Sequence, residues 1–343
     1  MKQPLNHDIE GCFQPMPLLV SIIVNFRSER WLPRCIETLY TGGSEGCILV
    51  DNDRLDPPVL NSLKKIYPGL EYIPCGKNIG FSRANNIGIE HALQNGADYI
   101  GIINPDVWFE RGWLEPILSA FASYGEYGVL TPLQLEYEGA SLSEWAQKVA
   151  GPERIQAWQP GDKPVEVPWI EGSAMVIRRE VIEKIGVFDE IFNIYFEDND
   201  LCRRAHLAGY RLGVVPGSTY HHYGSGSFGG NHSLERNIRC DLSQLIFTMT
   251  DPEKSIAANL YSLTYASGQL GWSWLSGRRT TFPHVMARFV AEAWRKRKAI
   301  HNKWKSERSL VRSSAETQRR REKQTDKQES SRKDASAISA PRR

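Results

Sequence analysis

Carboxylates recur where strand-like runs end in this chain: Asp51 in ILVDND, Asp106 in IINPDV, and Glu197, Asp198 and Asp200 in YFEDND. Asp and Asn commonly close strands and cap helices, so turn formation explains each of them singly. Parallel strands, however, deliver their C-terminal loops to one edge, and acids gathered in one cleft repel unless they serve a cation or a proton. A diphosphate with a divalent metal meets that need, because magnesium or manganese takes one or two carboxylates and fills its other positions with phosphate and water. His221 and His222 end the segment LGVVPGSTYHH. Neighbouring residues of an extended segment point to opposite sides, so at most one imidazole faces such a cleft, where it suits manganese better than magnesium. The alternative is a pair of surface histidines. The loop GKNIGFSRANN, residues 76–86, opens a helix whose free amides can approach a phosphate or a nucleoside, though a plain structural turn fits it as well. It holds neither GxGxxG nor GxxxxGK[ST], which speaks against dinucleotide and P-loop binding.

Periodicity supplies the elements that present these groups. Residues 18–26 (LLVSIIVNF) form a continuous apolar run, as a strand buried on both faces of a parallel sheet requires. Trp31, Leu32, Cys35, Ile36 and Leu39 then fall at helical spacing. Residues 46–50, 70–73 and 99–103 read as strands, and 60–66, 79–93 and 113–124 as helices. This βαβα series predicts an α/β fold, an open and mostly parallel twisted sheet with helices on both faces, with ligands at the carboxyl ends of the strands. Residues 139–167, rich in Gly, Pro and Trp, interrupt the pattern as an insertion or lid, and 173–177 resume it as a strand. Between 256 and 294 apolar residues return at helical spacing, most clearly Val285, Met286, Phe289, Val290, Ala293 and Trp294, running into Arg295-Lys296-Arg297-Lys298.

With 343 residues, 41% hydrophobic and 10% aromatic, the chain has ample material for a core and is neither disordered nor fibrous as a whole. No apolar run is long enough to span a membrane, and the N-terminal MKQPLNHDIEGCFQPMP lacks the charged and apolar regions of a secretory signal. Six scattered cysteines without CxxC pairing suit reduced thiols, so a cytoplasmic location is expected. The formal charge of +2 hides an asymmetry: 17 of the 42 basic residues but only 6 of the 40 acidic ones lie in 295–343, giving that stretch +11 and the first 294 residues −9. Polar composition predicts a basic, disordered tail over 312–343, and the basic amphipathic region before it fits either packing on the main domain or peripheral contact with a membrane. The composition speaks against nucleic-acid binding, since no nucleic-acid module accompanies the cations.

Laid in order, VSIIVNF, ILVDND, KNIGFSRANNIGI, IINPDV, EGSAMVIRREVIEKIGVFDE, IFNIYFEDNDLCRRAHLAGY and STYHHYGSGS resemble the family 2 glycosyltransferases of the GT-A fold, particularly their rhamnosyltransferase-like branch. The resemblance covers about residues 18–230, with the nucleotide-sugar half at 18–131 and the acceptor half at 132–230. An extension at 1–17 precedes it and a helical region at 231–311 follows.

This resemblance implies an inverting transfer of rhamnose or a similar sugar from dTDP-rhamnose or a UDP-sugar to a glycan or lipid-linked acceptor in polysaccharide synthesis. It places Asn25 and Phe26 beside the donor base and Asp51 on its ring nitrogen, with Asn78, Gly80 and Asn86 lining the pocket. Asp106 matches the last acid of the DxD element that holds manganese or magnesium on the diphosphate. Asn104 stands at its first position, so one carboxylate fewer is available. His221 takes the place of a further metal ligand, and Asp198 that of the catalytic base, with Glu197 its competitor. A sugar nucleotidyltransferase would need a glycine-rich triphosphate loop that VNFRSERW lacks, and a non-catalytic carbohydrate-binding protein would have no use for these acids.

Overall fold

The computed structural model describes residues 18–224, 234–277 and 282–338, with side chains through residue 311. The 1–17 extension, Ser225 to Ser227 of the last motif and the tail beyond 338 lie outside the described residues.

The first half follows the expected alternation: β1 (Leu19–Asn25), α1 (Leu32–Thr41), β2 (Gly46–Asp51), α2 (Pro57–Ile66), β3 (Leu70–Pro74), α3 (Phe81–Gln94) and β4 (Tyr99–Ile103). All seven residues of β1 are buried because β1 lies between β2 and β4, parallel to both, with a helix layer on each face. Alternate residues serve opposite layers: Val20, Ile22 and Val24 join one core with Ala84 and Ile89 of α3, whereas Leu19 and Ile23 join the other with Leu32 and Ile36 of α1. Gly88 lets α3 approach closely, since a Cβ there would stand 2.5 Å from Ile22 Cγ2.

β5 (Val107–Phe109), α4 (Leu114–Ser123), β6 (Tyr127–Glu136), α5 (Pro152–Ala157), β7 (Val165–Glu166), β8 (Ala174–Arg178), α6 (Arg179–Ile185), α7 (Glu197–Leu207) and β9 (Arg211–His222) complete the sheet and its helices. The strand order is β3-β2-β1-β4-β8-β6-β9-β5, with β7 on β9. The sheet is parallel from β3 through β4, as expected, and mixed beyond it: β8 runs antiparallel to β4 and β6, and β5 antiparallel to β9. The 139–167 stretch is packed rather than lid-like, since Trp145, Ala146, Val165 and Val167 enter the core.

The C-terminal region is helical: α8 (Leu234–Met249), α9 (Ile256–Leu275) and α10 (Phe282–Ile338). Ile238, Leu242, Leu245, Leu270, Val285 and Phe289 form a third core with Ile191 and Phe192. The predicted stripe is therefore split, with Val285 and Phe289 facing inward and Val290 and Trp294 outward. The disorder expected from residue 312 gives way to helical backbone through Ile338. That segment contains no Gly or Pro and many Lys, Arg, Gln and Glu, all good helix formers. The described cysteines are free thiols, and among the described residues no helix is long and apolar enough to cross a membrane.

Candidate active site

At the carboxyl ends of β1 and β2, Asn25 Nδ2 donates to Asp51 Oδ1 at 2.8 Å. Asp51 also accepts from Leu55 N (2.9 Å), the Tyr72 hydroxyl (2.7 Å) and Asp53 N (3.2 Å). Four donors fill the four acceptor positions of a carboxylate. Burial would raise the Asp51 pKa, but these donors outweigh it and hold the carboxyl below its ordinary value. Asp51 is thus a brace for the loop after β2, and the base contact expected of it would require one of these bonds to be exchanged. Phe26 lies partly exposed beside it under the Arg27 guanidinium, 5.1 Å from the ring centre.

The next loop is held by Asn52, whose Oδ1 accepts from Ile79 N at 2.7 Å, and by Asn78, whose Oδ1 accepts from Gly80 N at 2.9 Å. Gly80 has φ +97°, and a Cβ there would meet Asn193 Oδ1 at 2.0 Å, so glycine is required. Asn86 bonds Phe188 with both ends of its amide, donating to the carbonyl and accepting from the N–H. Gly80 and Asn86 therefore pack α3 against the 188–193 segment instead of lining an open pocket. Asn78 remains exposed at the edge.

Beyond β4, the Asn104 backbone N–H donates to Ser173 O at 2.8 Å, and Tyr223 N donates to Asp106 O at 3.1 Å. These bonds seat the Asn-Pro-Asp turn between β8 and the end of β9. His222, not His221, accompanies Asp106: its Nε2 lies 3.5 Å from Asp106 Oδ1, and its Nδ1 is 2.9 Å from Gln134 Nε2 and 3.9 Å from Glu171 Oε2. Burial disfavours the charged ring, yet Asp106, Glu171 and Glu136 outweigh it and raise the His222 pKa. The expectation for His221 is corrected by strand parity. β9 pairs with β5 so that His221 stacks on Trp108, with ring centres 3.7 Å apart, while its Nδ1 lies 2.7 Å from the Glu136 carbonyl and its Nε2 3.3 Å from Glu110.

Glu171 leads on to the other acids through the next residue, whose N–H donates to Asp198 Oδ2 at 2.9 Å. Asp198 Oδ1 accepts from the Asn199 backbone and side-chain amides, and burial chiefly, against these bonds, raises its pKa. Glu197 is buried with no partner for Oε2, and desolvation, reinforced by Asp198, raises its pKa well above the ordinary value. Asp200 belongs elsewhere: fully buried, it pairs with Arg203, Arg204 and Lys303.

The turn before α7 is strained. Tyr195 and Phe196 have φ of 66° and 68°, a left-handed conformation disfavoured for bulky side chains. α8 supports it: the Ser243 hydroxyl donates to Ile194 O at 2.9 Å, and Phe196 packs on Phe247.

Residues 21–186 match the family described as Glycosyl transferase family 2. Over that stretch, just under half of the chain, the sequence is similar to the family 2 glycosyltransferases. The chain is 28% identical over 210 residues to N-acetylglucosaminyl-diphospho-decaprenol L-rhamnosyltransferase of Mycobacterium tuberculosis, covering 53% of this chain and 67% of that one. It is 27% identical over 219 residues to the rhamnosyltransferase WbbL of Escherichia coli K12, covering 59% and 82%. In fold it is similar to the mannosyltransferase PcManGT of Pyrobaculum calidifontis, solved with GDP-Man and Mn2+, with a TM-score of 0.53, 14% identity and coverage of 87% and 86%. The sheet is that of a GT-A glycosyltransferase.

The family match ends before Glu197 and Asp198, so the placement of those acids rests on the geometry above. Glu171 and Gln134 are functional candidates that sequence reasoning missed, and His222 is the member of the histidine pair that the resemblance passed over. Their signal was the register of β9 against β5 and β6, which only the paired strands reveal. Among the described residues no three His, Cys, Asp or Glu side chains are arranged to hold a metal. Asp106 and His222 make a set of two. His222 Nε2, turned toward the Asp106 carboxylate at 3.5 Å, is the atom a divalent ion would use on displacing its proton.

Proposed function

We propose that this chain is an inverting glycosyltransferase that moves rhamnose, or a sugar like it, from a nucleotide-diphospho-sugar to a hydroxyl of a lipid-linked saccharide in cell-surface polysaccharide synthesis. The observation that carries the proposal is the continuous series Asp106, His222, Glu171, Asp198 at one edge of the sheet. The rhamnosyltransferase names of the relatives, one of them a dTDP-rhamnosyl transferase of Shigella flexneri, support dTDP-rhamnose as donor over a UDP-sugar. The diphospho-decaprenol in one of them supports a lipid-linked acceptor and a place at the cytoplasmic face of a membrane, held peripherally.

Asp106 and His222 would hold manganese, or less suitably magnesium, which when bound neutralises charge on the departing diphosphate. The residues of the chain do the rest. Phe26 and exposed Asn78 face the donor nucleoside, over a loop that Asp51 and Asn52 keep in shape. Glu171 and Gln134 orient His222 through its Nδ1 side. Asp198 accepts the acceptor's hydroxyl proton as the oxygen attacks from the face opposite the leaving group, a contribution of about 10² to 10⁴ in rate. Its raised pKa brings it nearer the working pH of a general base, so activity falls as pH drops through that value.

A donor panel with and without manganese, scored by nucleoside diphosphate release, tests the reading. Asp198→Asn should abolish release while leaving donor affinity unchanged; near-normal turnover by that variant would overturn the assignment.

A further inference from the structure

α9 carries twenty residues without one charged side chain, yet only Asn259 and Leu270 among them are buried. Its outermost residues are large and apolar or aromatic: Tyr261 is 74% exposed, Tyr265 62%, Trp272 69% and Leu275 72%. They recur at i, i+4, i+11 and i+14, one stripe of the helix, running for roughly 21 Å at the rise of an α-helix. A lone exposed aromatic needs no explanation, but a continuous stripe of this kind marks a surface built to be covered.

Cations flank it. α10 returns past the start of α9, where Trp304 Nε1 donates to Lys254 O at 3.4 Å. The turn of α10 six to nine residues before Trp304 therefore runs beside the first half of α9, and it bears exposed Arg295, Arg297 and Lys298. Trp294, 71% exposed, adds a further aromatic there. Trp and Tyr concentrate at membrane interfaces, where the ring meets acyl chains and the polar atom meets water. Basic residues beside such rings add attraction to anionic headgroups.

We infer that this α9 stripe, with the Arg295–Lys298 turn beside it, docks the glycosyltransferase on an anionic phospholipid surface, the aromatic side chains entering the headgroup region. A second copy of the chain is the poorer occupant. Pairing of the uncharged α9 with its equivalent would set no anionic group of that helix against the flanking cations. The inference deepens the reading of the acceptor as lipid-linked, but it concerns binding and is tested without turnover.

The test is flotation of the full chain with vesicles of equal parts phosphatidylglycerol and phosphatidylcholine, and with phosphatidylcholine alone. Wild type should bind the anionic vesicles, more weakly as salt rises. Changing Tyr261, Tyr265, Trp272 and Leu275 together to Ser should cut that binding by at least about tenfold. These positions are exposed, so the thermal transition should not move. Arg295→Gln with Arg297→Gln and Lys298→Gln should lower binding to anionic vesicles only. The inference is overturned if wild type binds neither vesicle, if the four-serine variant binds as wild type does, or if light scattering shows a wild-type dimer that this variant makes monomeric.

Discussion

Two adjacent histidines have opposite duties, and this is the sharpest test at the scale of residues. His221 is stacked on Trp108 with both ring nitrogens near oxygens, whereas His222 turns its Nε2 toward Asp106. His222→Asn should reduce manganese-stimulated turnover by about 10- to 100-fold with little change in unfolding temperature. His221→Asn should do the reverse, lowering stability by about 1–3 kcal/mol through loss of a buried, bonded ring while sparing the metal response. Comparing metal titrations and melting curves of the two variants checks both halves. Glu197 makes a prediction about pH. Its folded pKa is raised, so its contribution to stability is fully present below the unfolded value near 4.3 and is lost as pH rises through the folded one. Glu197→Gln should therefore be more stable than wild type at pH 8, by about 1–3 kcal/mol, and the gap should close toward pH 4 in thermal denaturation.

At the scale of elements, α7 presents Asp198 at its first turn and is anchored by Asp200 two residues later. Lys303 of α10 reaches Asp200 at 2.7 Å and Asp189 at 2.9 Å, and pairs with Glu307, all but Asp189 deeply buried. Burial would raise the Asp200 pKa, but Arg204, Lys303 and Arg203 bring it down to about 2. Lys303→Met removes one partner from a buried ion cluster, which should cost about 3 kcal/mol in denaturant unfolding and lower kcat more than it changes KM. An unchanged kcat with lowered stability would confine the cluster to holding α10. The sequence makes the parallel elements legible because β1, β2 and β4 are continuous apolar runs and α1 shows a clean helical face. β6, at the centre of the mixed half, escapes notice because Pro132 and Gln134 interrupt its pattern, and the strand shifts register at that proline. The direction of β8 is likewise invisible to periodicity. The candidate site is legible in its residue types, including Asp106 and Asp198, since strand ends mark them. The choice of His222 over His221, and the bracing duties of Asp51, Gly80 and Asn86, depend on register and loop contacts that spacing alone does not carry.

For the molecule as a whole, an acidic body and a basic C-terminal arm divide the work. The sheet gathers Asp106, Glu171 and Asp198 at one edge, and the helices after residue 234 support the strained turn that leads into α7. Polar helix formers let the α10 backbone continue far past the last core contact, to Ile338. The central claim is that residues distant in the chain converge on one diphosphate. Anomalous scattering from crystals soaked with manganese and a nucleoside diphosphate measures this most directly. The account predicts one manganese peak in bonding contact with Asp106 and His222 Nε2, the diphosphate on its open side, and Asp198 nearby but not coordinated. Manganese bound at His221, or coordinated by Asp198, would contradict it.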